Sequence, residues 1–85
     1  MQYKHKSALK RDLEERLIKK GTILEVLGEE ELKISGKIEK IAFSVVGYFS
    51  SFDGRSIFLE PAKGYSQSRG LIVPLDKIKQ YRIIF

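Results

Sequence analysis

The sequence predicts a mainly β domain with one helix: a small five-stranded barrel capped by an N-terminal α-helix. Three observations carry this expectation. Leu9, Leu13 and Leu17 recur every fourth residue near the start of the chain, the spacing of one helix face. From Thr22 onward, apolar residues alternate with polar ones in short runs broken by Gly, Pro and Asp, the punctuation of strands and tight turns. Between them, Leu32 to Ile41 reads as one long strand. Its alternation holds through Leu32, Ile34 and Ile38, with Gly36 in an inward slot, and then slips by one residue to Ile41, Phe43 and Val45. A bend at Gly36 and a bulge after Glu39 would let one strand serve two sides of a barrel.

Eighty-five residues, 42% of them hydrophobic and nine of them Tyr or Phe, suffice for one core and one domain, residues 1–85. The helix is expected over residues 7–20 and the barrel over 22–85. Ser7 is placed to cap the helix, Gly21 to end it, and Lys19 and Lys20 to face the negative end of its dipole. Opposite charges four apart (Lys10/Glu14, Arg11/Glu15, Asp12/Arg16, Glu15/Lys19) lace its outer surface. Thr22 to Leu27 reads as a strand and Gly28-Glu29-Glu30-Glu31 as a turn into the long central strand. Asp53-Gly54 marks a hairpin before Arg55 to Glu60, which Pro61 ends. Residues 61–70 are a polar loop. Leu71, Val73 and Leu75 resume alternation, Pro74 to Lys77 is a single turn, and Ile78 to Phe85 is the final strand. That last strand is apolar on both faces and predicts homo-oligomerisation through an exposed edge.

Composition narrows the function classes. There is no Cys, which removes disulfides, zinc-thiolate sites and thiol chemistry. The only histidine, His5, sits in the N-terminal tail, so a Ser/His/Asp arrangement cannot be assembled elsewhere, and neither GxSxG, GxGxxG nor GxxxxGK[ST] occurs. The three glutamates 29–31 read as a solvated turn, without further ligands at a metal-binding spacing. The reading is therefore of a non-enzyme without a cofactor. No apolar run nears the roughly 20 residues of a membrane span, and no signal peptide is visible, so a cytoplasmic location without membrane contact is expected. Asn, Cys and Trp are absent while Lys and Glu abound, as in proteins of hyperthermophiles.

The net charge of +5 is lopsided. In residues 1–20, Lys4, Lys6, Lys10, Arg11, Arg16, Lys19 and Lys20 outnumber Asp12, Glu14 and Glu15 for a net +4; the rest of the chain nets +1. Such asymmetry points toward nucleic acid or an anionic membrane surface. Lys and Arg supply phosphate contacts, and exposed aromatics stack on unpaired bases. The candidate binding residues are Lys4, Lys6, Lys10 and Arg11 on the helix side and Lys63, Tyr65 and Arg69 in the loop, with Tyr48, Phe49 and Phe52 as further aromatics near the Asp-Gly turn. The competing reading makes those aromatics core and the bases a solvated surface.

Gly36-Lys37-Ile38-Glu39-Lys40-Ile41, followed by Phe52-Asp53 and Ile57-Phe58-Leu59-Glu60-Pro61-Ala62, resembles the core of Sm-like proteins: a glycine in a bent second strand, then Phe-Asp, then a strand ending in Leu-acid-x-Ala. The resemblance implies an SH3/Sm-like barrel, RNA as the favoured ligand over DNA, and ring assembly. Ser56 stands near where that family carries its base-contacting Asn, and Pro74-Leu75 replaces its Arg-Gly, so the uridine pocket does not carry over. Ile72-Val73-Pro74-Leu75-Asp76-Lys77-Ile78 is also similar to PRC-barrel domains, which implies protein docking. Two functions follow as expectations: binding of single-stranded RNA or DNA through the basic helix face and the 61–70 loop, or a protein-interaction and assembly module.

Overall fold

The computed structural model describes residues 2–61 and 70–84. Its elements are β1 (Lys4–His5), α1 (Lys6–Glu14), β2 (Ile23–Ile34), β3 (Lys37–Phe52), β4 (Ser56–Pro61), β5 (Leu71–Pro74), a 3-10 turn over Leu75–Lys77, and β6 (Ile78–Ile83). The described residues are mainly β, as expected, with one α-helix. Its strands form a single antiparallel sheet in the order β1-β6-β2-β3-β4-β5. Six strands replace the expected five, and no ladder joins β1 to β5 among the described residues, so the sheet is open rather than a closed barrel. Among the described residues β5, four residues long, pairs with β4 alone, while β2 and β3 spend their far halves on each other.

The core lies between α1 and one face of the sheet. Leu9 and Leu13 of the helix and Ile18 meet Leu24, Val26, Phe49, Ile57, Leu59, Val73, Ile78 and Tyr81. Alternation places these side chains, as at Leu24/Val26 and Ile57/Leu59, where every second residue turns inward.

The central stretch is a hairpin and not one bent, bulged strand. β2 ends at Ile34 and β3 begins at Lys37, paired directly across the two-residue loop Ser35-Gly36. Both loop residues have positive φ, 52° and 79°, which is the type I′ hairpin turn. The one-residue slip in phase is therefore the change of parity that a hairpin imposes. Opposed residues share a face, so even positions of β2 align with odd positions of β3, and Val26 faces the same way as Val45. A bulge does occur in β3, but at Ser50, where Phe49 opposes Leu59 and Ser51 opposes Phe58.

The outer half of this hairpin, residues 29–34 with 37–42, projects past the sheet as an arm. Leu32 (42% exposed), Ile34 (48%), Ile38 (69%) and Ile41 (42%), read from the sequence as inward, are instead in solvent. Nor is Gly28 in a turn. It sits within β2, where a Cβ would lie 2.1 Å from the carbonyl oxygen of Lys77, and there the β2–β6 register shifts.

The helix is shorter than the expected 7–20. His5, not Ser7, caps it: its imidazole Nδ1 accepts the backbone N–H of Ser7 at 3.2 Å. At the other end Arg16 adopts φ 58°, and the N–H groups of Arg16 and Leu17 donate back to the carbonyls of Leu13 and Asp12 at 3.2 and 2.8 Å. This is the Schellman motif with arginine at the position glycine normally takes. The chain leaves the helix there, so Leu17, counted in the core stripe, is exposed and Ile18 takes its place. The final strand is not an edge either: β6 lies between β1 and β2.

Candidate nucleic-acid interface

The bases expected on the helix separate into two sets. Asp12 is buried at the sheet side of α1 and accepts a hydrogen bond from the Tyr81 hydroxyl. It holds Lys4 Nζ at 3.8 Å and Arg11 Nε at 3.6 Å, and Arg11 also reaches Glu15 Oε2 at 4.0 Å. These two cations are partly neutralised by the carboxylate that anchors the helix.

Lys6 and Lys10 lie one helical turn apart on the other flank. With Ser7, Leu75 and Asp76 they line a cleft of about 240 Å³. Lys10, Leu75 and Asp76 also line an adjoining cleft of about 410 Å³, completed by Gly54, Arg55, Ser56 and Pro74. The shared residues make the two clefts one groove, running from the start of α1 past the 3-10 turn to the β3–β4 turn.

Local hydrogen bonds shape that groove. Asp53 Oδ1 accepts the backbone N–H groups of Arg55 and Ser56, each at 2.8 Å, which closes the turn around Gly54 at φ 98°. Those two donors hold the Asp53 carboxyl below the usual aspartate range. The Leu75 N–H then donates to the Arg55 carbonyl at 2.9 Å, tying the β3–β4 turn to the 3-10 turn. Arg55 was not singled out from the sequence; its place directly after Asp-Gly was the available signal. Lys77 is drawn away from the groove by Glu30, whose carboxylate sits 2.8 Å from its Nζ and raises its pKa.

The aromatics near the turn are not stacking platforms. Phe49 is buried, Phe52 packs against the core and Tyr48 is half-buried. Tyr3 is exposed, but its hydroxyl donates to Glu25 and the Arg82 guanidinium lies 4.9 Å over its ring. Lys63, Tyr65 and Arg69 lie outside the described residues. Among the described residues no cluster of His, Asp or Glu has metal-binding geometry, and no helix is long and apolar enough to cross a membrane.

Comparison with protein-family models, with curated proteins and with solved structures finds no match.

Proposed function

We propose that this is a non-catalytic nucleic-acid-binding protein that holds the phosphate backbone of a single strand in the groove between α1 and the Leu75–Lys77 turn. One observation carries the reading: Lys6 and Lys10 from the helix and Arg55 from the β3–β4 turn line one groove in which, among the described residues, Asp76 is the only lining acid. Three cations along a groove suit a polyanion, and the excess positive charge favours its approach. RNA is preferred over DNA on the Sm-like resemblance, and a cytoplasmic location belongs to the same proposal. The helix ahead of the long strands, preceded only by the two-residue β1, and the strand Ile57-Phe58-Leu59-Glu60 support an Sm-like fold; Gly36, in a hairpin turn rather than a bent strand, does not.

Fluorescence anisotropy of labelled single-stranded RNA and DNA, titrated at two or more salt concentrations, tests this. Three phosphate contacts give a slope of log affinity against log salt of about −2 on a single strand. Lys6→Glu with Lys10→Glu and Arg55→Glu should abolish binding, whereas Lys33→Glu, on the distant arm, should leave it nearly unchanged. No binding at low salt, or binding indifferent to the triple variant, would exclude the groove.

A further inference from the structure

The outer edge of β2 is covered for only half its length. β6 pairs with it from Leu24, opposite Ile83, to Gly28, opposite Ile78, and there the chain turns away into Leu75–Lys77. From Glu29 to Ile34 the same edge meets no strand among the described residues, although it lies on a regular twelve-residue strand flanked by exposed Leu32 and Ile34. An unpaired, partly apolar edge is a template for another strand.

We propose that the protein forms a two-fold dimer in which the arms pair antiparallel, β2 edge to β2 edge, with Leu32 on the axis. The charge pattern selects both the occupant and the register. Directly opposed residues of an antiparallel pair share a face, so a two-fold pairing must centre on a residue. Centring on Glu30 or Glu31 sets two glutamates against each other, and centring on Lys33 sets two lysines. Centring on Ile34 leaves only the tip paired. Centring on Leu32 places leucine on leucine and sets Glu31 opposite the partner's Lys33 twice over. Opposite charges facing across a ladder stabilise it and like charges destabilise it. Glu29 and Glu30 are already engaged within the chain by Lys79 and Lys77, at 3.9 and 2.8 Å, whereas neither Glu31 nor Lys33 is in an ion pair among the described residues. The arm is thus self-complementary at the two positions whose charges are uncommitted. This dimer is independent of the nucleic-acid groove.

The chain contains no cysteine, so one introduced thiol reports one position. Sedimentation equilibrium of the wild-type protein at micromolar concentration should give a dimer. Leu32→Cys should form an intermolecular disulfide on mild oxidation, because Leu32 bonds toward β3 and its opposed Cβ atoms on the axis then sit about 4.5 Å apart, the long end of the disulfide range. Ile38→Cys, on the other strand of the arm, should not. Lys33→Glu should raise the dimer dissociation constant about tenfold, and Glu31→Lys combined with Lys33→Glu should restore it. A monomeric wild type, a dimer that cross-links at Ile38→Cys but not at Leu32→Cys, or a charge swap that fails to restore affinity would each overturn the proposal. So would a monomer whose arm is taken up by an unrelated protein strand.

Discussion

The Tyr81 hydroxyl of the last strand donates to the Asp12 carboxylate of the helix, joining residues 69 positions apart inside the core. Tyr81 is fully buried and Asp12 is 5% exposed. Tyr81→Phe removes the donor while leaving the buried carboxylate in place, and an unsatisfied buried acceptor costs about 1–3 kcal/mol. Chemical denaturation should show that loss with an unchanged m-value. Phe at this position fills the same space, so a loss near zero would mean that water or Lys4 replaces the hydroxyl.

The same contact sets an alkaline limit. Burial first, and then the bond to Asp12, push the Tyr81 phenol well above its usual range. A raised pKa in the folded state means stability is fully present below pH about 10, where the unfolded phenol titrates, and is lost as the pH climbs above it. Wild-type stability should therefore fall more steeply above pH about 10 than that of Tyr81→Phe, which a set of denaturation curves across that range would show.

Arg16 holds φ 58° at the helix end, a conformation that costs a residue bearing a Cβ about 1 kcal/mol relative to glycine. Arg16→Gly should raise stability by up to about 1 kcal/mol, less the entropy that glycine adds to the unfolded chain. Calorimetry should record a higher Tm. A lower Tm would show that the Arg16 side chain contributes more than its backbone costs.

Gly28 is the opposite case. Its φ is unexceptional, but a methyl group there would meet the Lys77 carbonyl at 2.1 Å and the Phe43 ring at 2.6 Å. The carbonyl is backbone and cannot swing aside, so Gly28→Ala should cost about 3 kcal/mol or prevent folding. Gly36→Ala, with open space around the Cβ and only the turn conformation to strain, should cost about 1–2 kcal/mol, confined to the arm. Amide exchange resolves the two, since the second should speed exchange in residues 29–42 alone.

The sequence made the core strands legible because burial and alternation coincide there. Leu24/Val26, Ile57/Leu59 and Val73 point inward as their spacing predicts. It misled at the arm because Leu32, Ile34 and Ile38 alternate without being buried, and alternation alone does not say which face meets a core. The Ser35-Gly36 loop was readable as a hairpin only by giving up the assumption that one strand ran through it. The helix length was misjudged because Arg16 enters a left-handed conformation that sequence patterns assign to glycine. Of the candidate site, Lys6 and Lys10 were visible as helix bases. Arg55 joins them only through the bond from Leu75 to its carbonyl, a contact between segments twenty residues apart.

Because none of the buried core residues lies between Glu29 and Ala42, the arm can open without the rest of the molecule coming apart. Its free energy of opening is a local quantity, set by the ladder between its two strands, the turn at its tip and the ion pairs of Glu29 with Lys79 and Glu30 with Lys77 at its base. The protein therefore has two tiers of stability. Lys33, Lys37 and Lys40 place sites for trypsin on the weaker tier. Cleavage at these three lysines would report the arm's opening and leave a core still held by the contact between Asp12 and Tyr81. Whatever closes over the arm, by protecting those lysines, would announce itself as a slower nick.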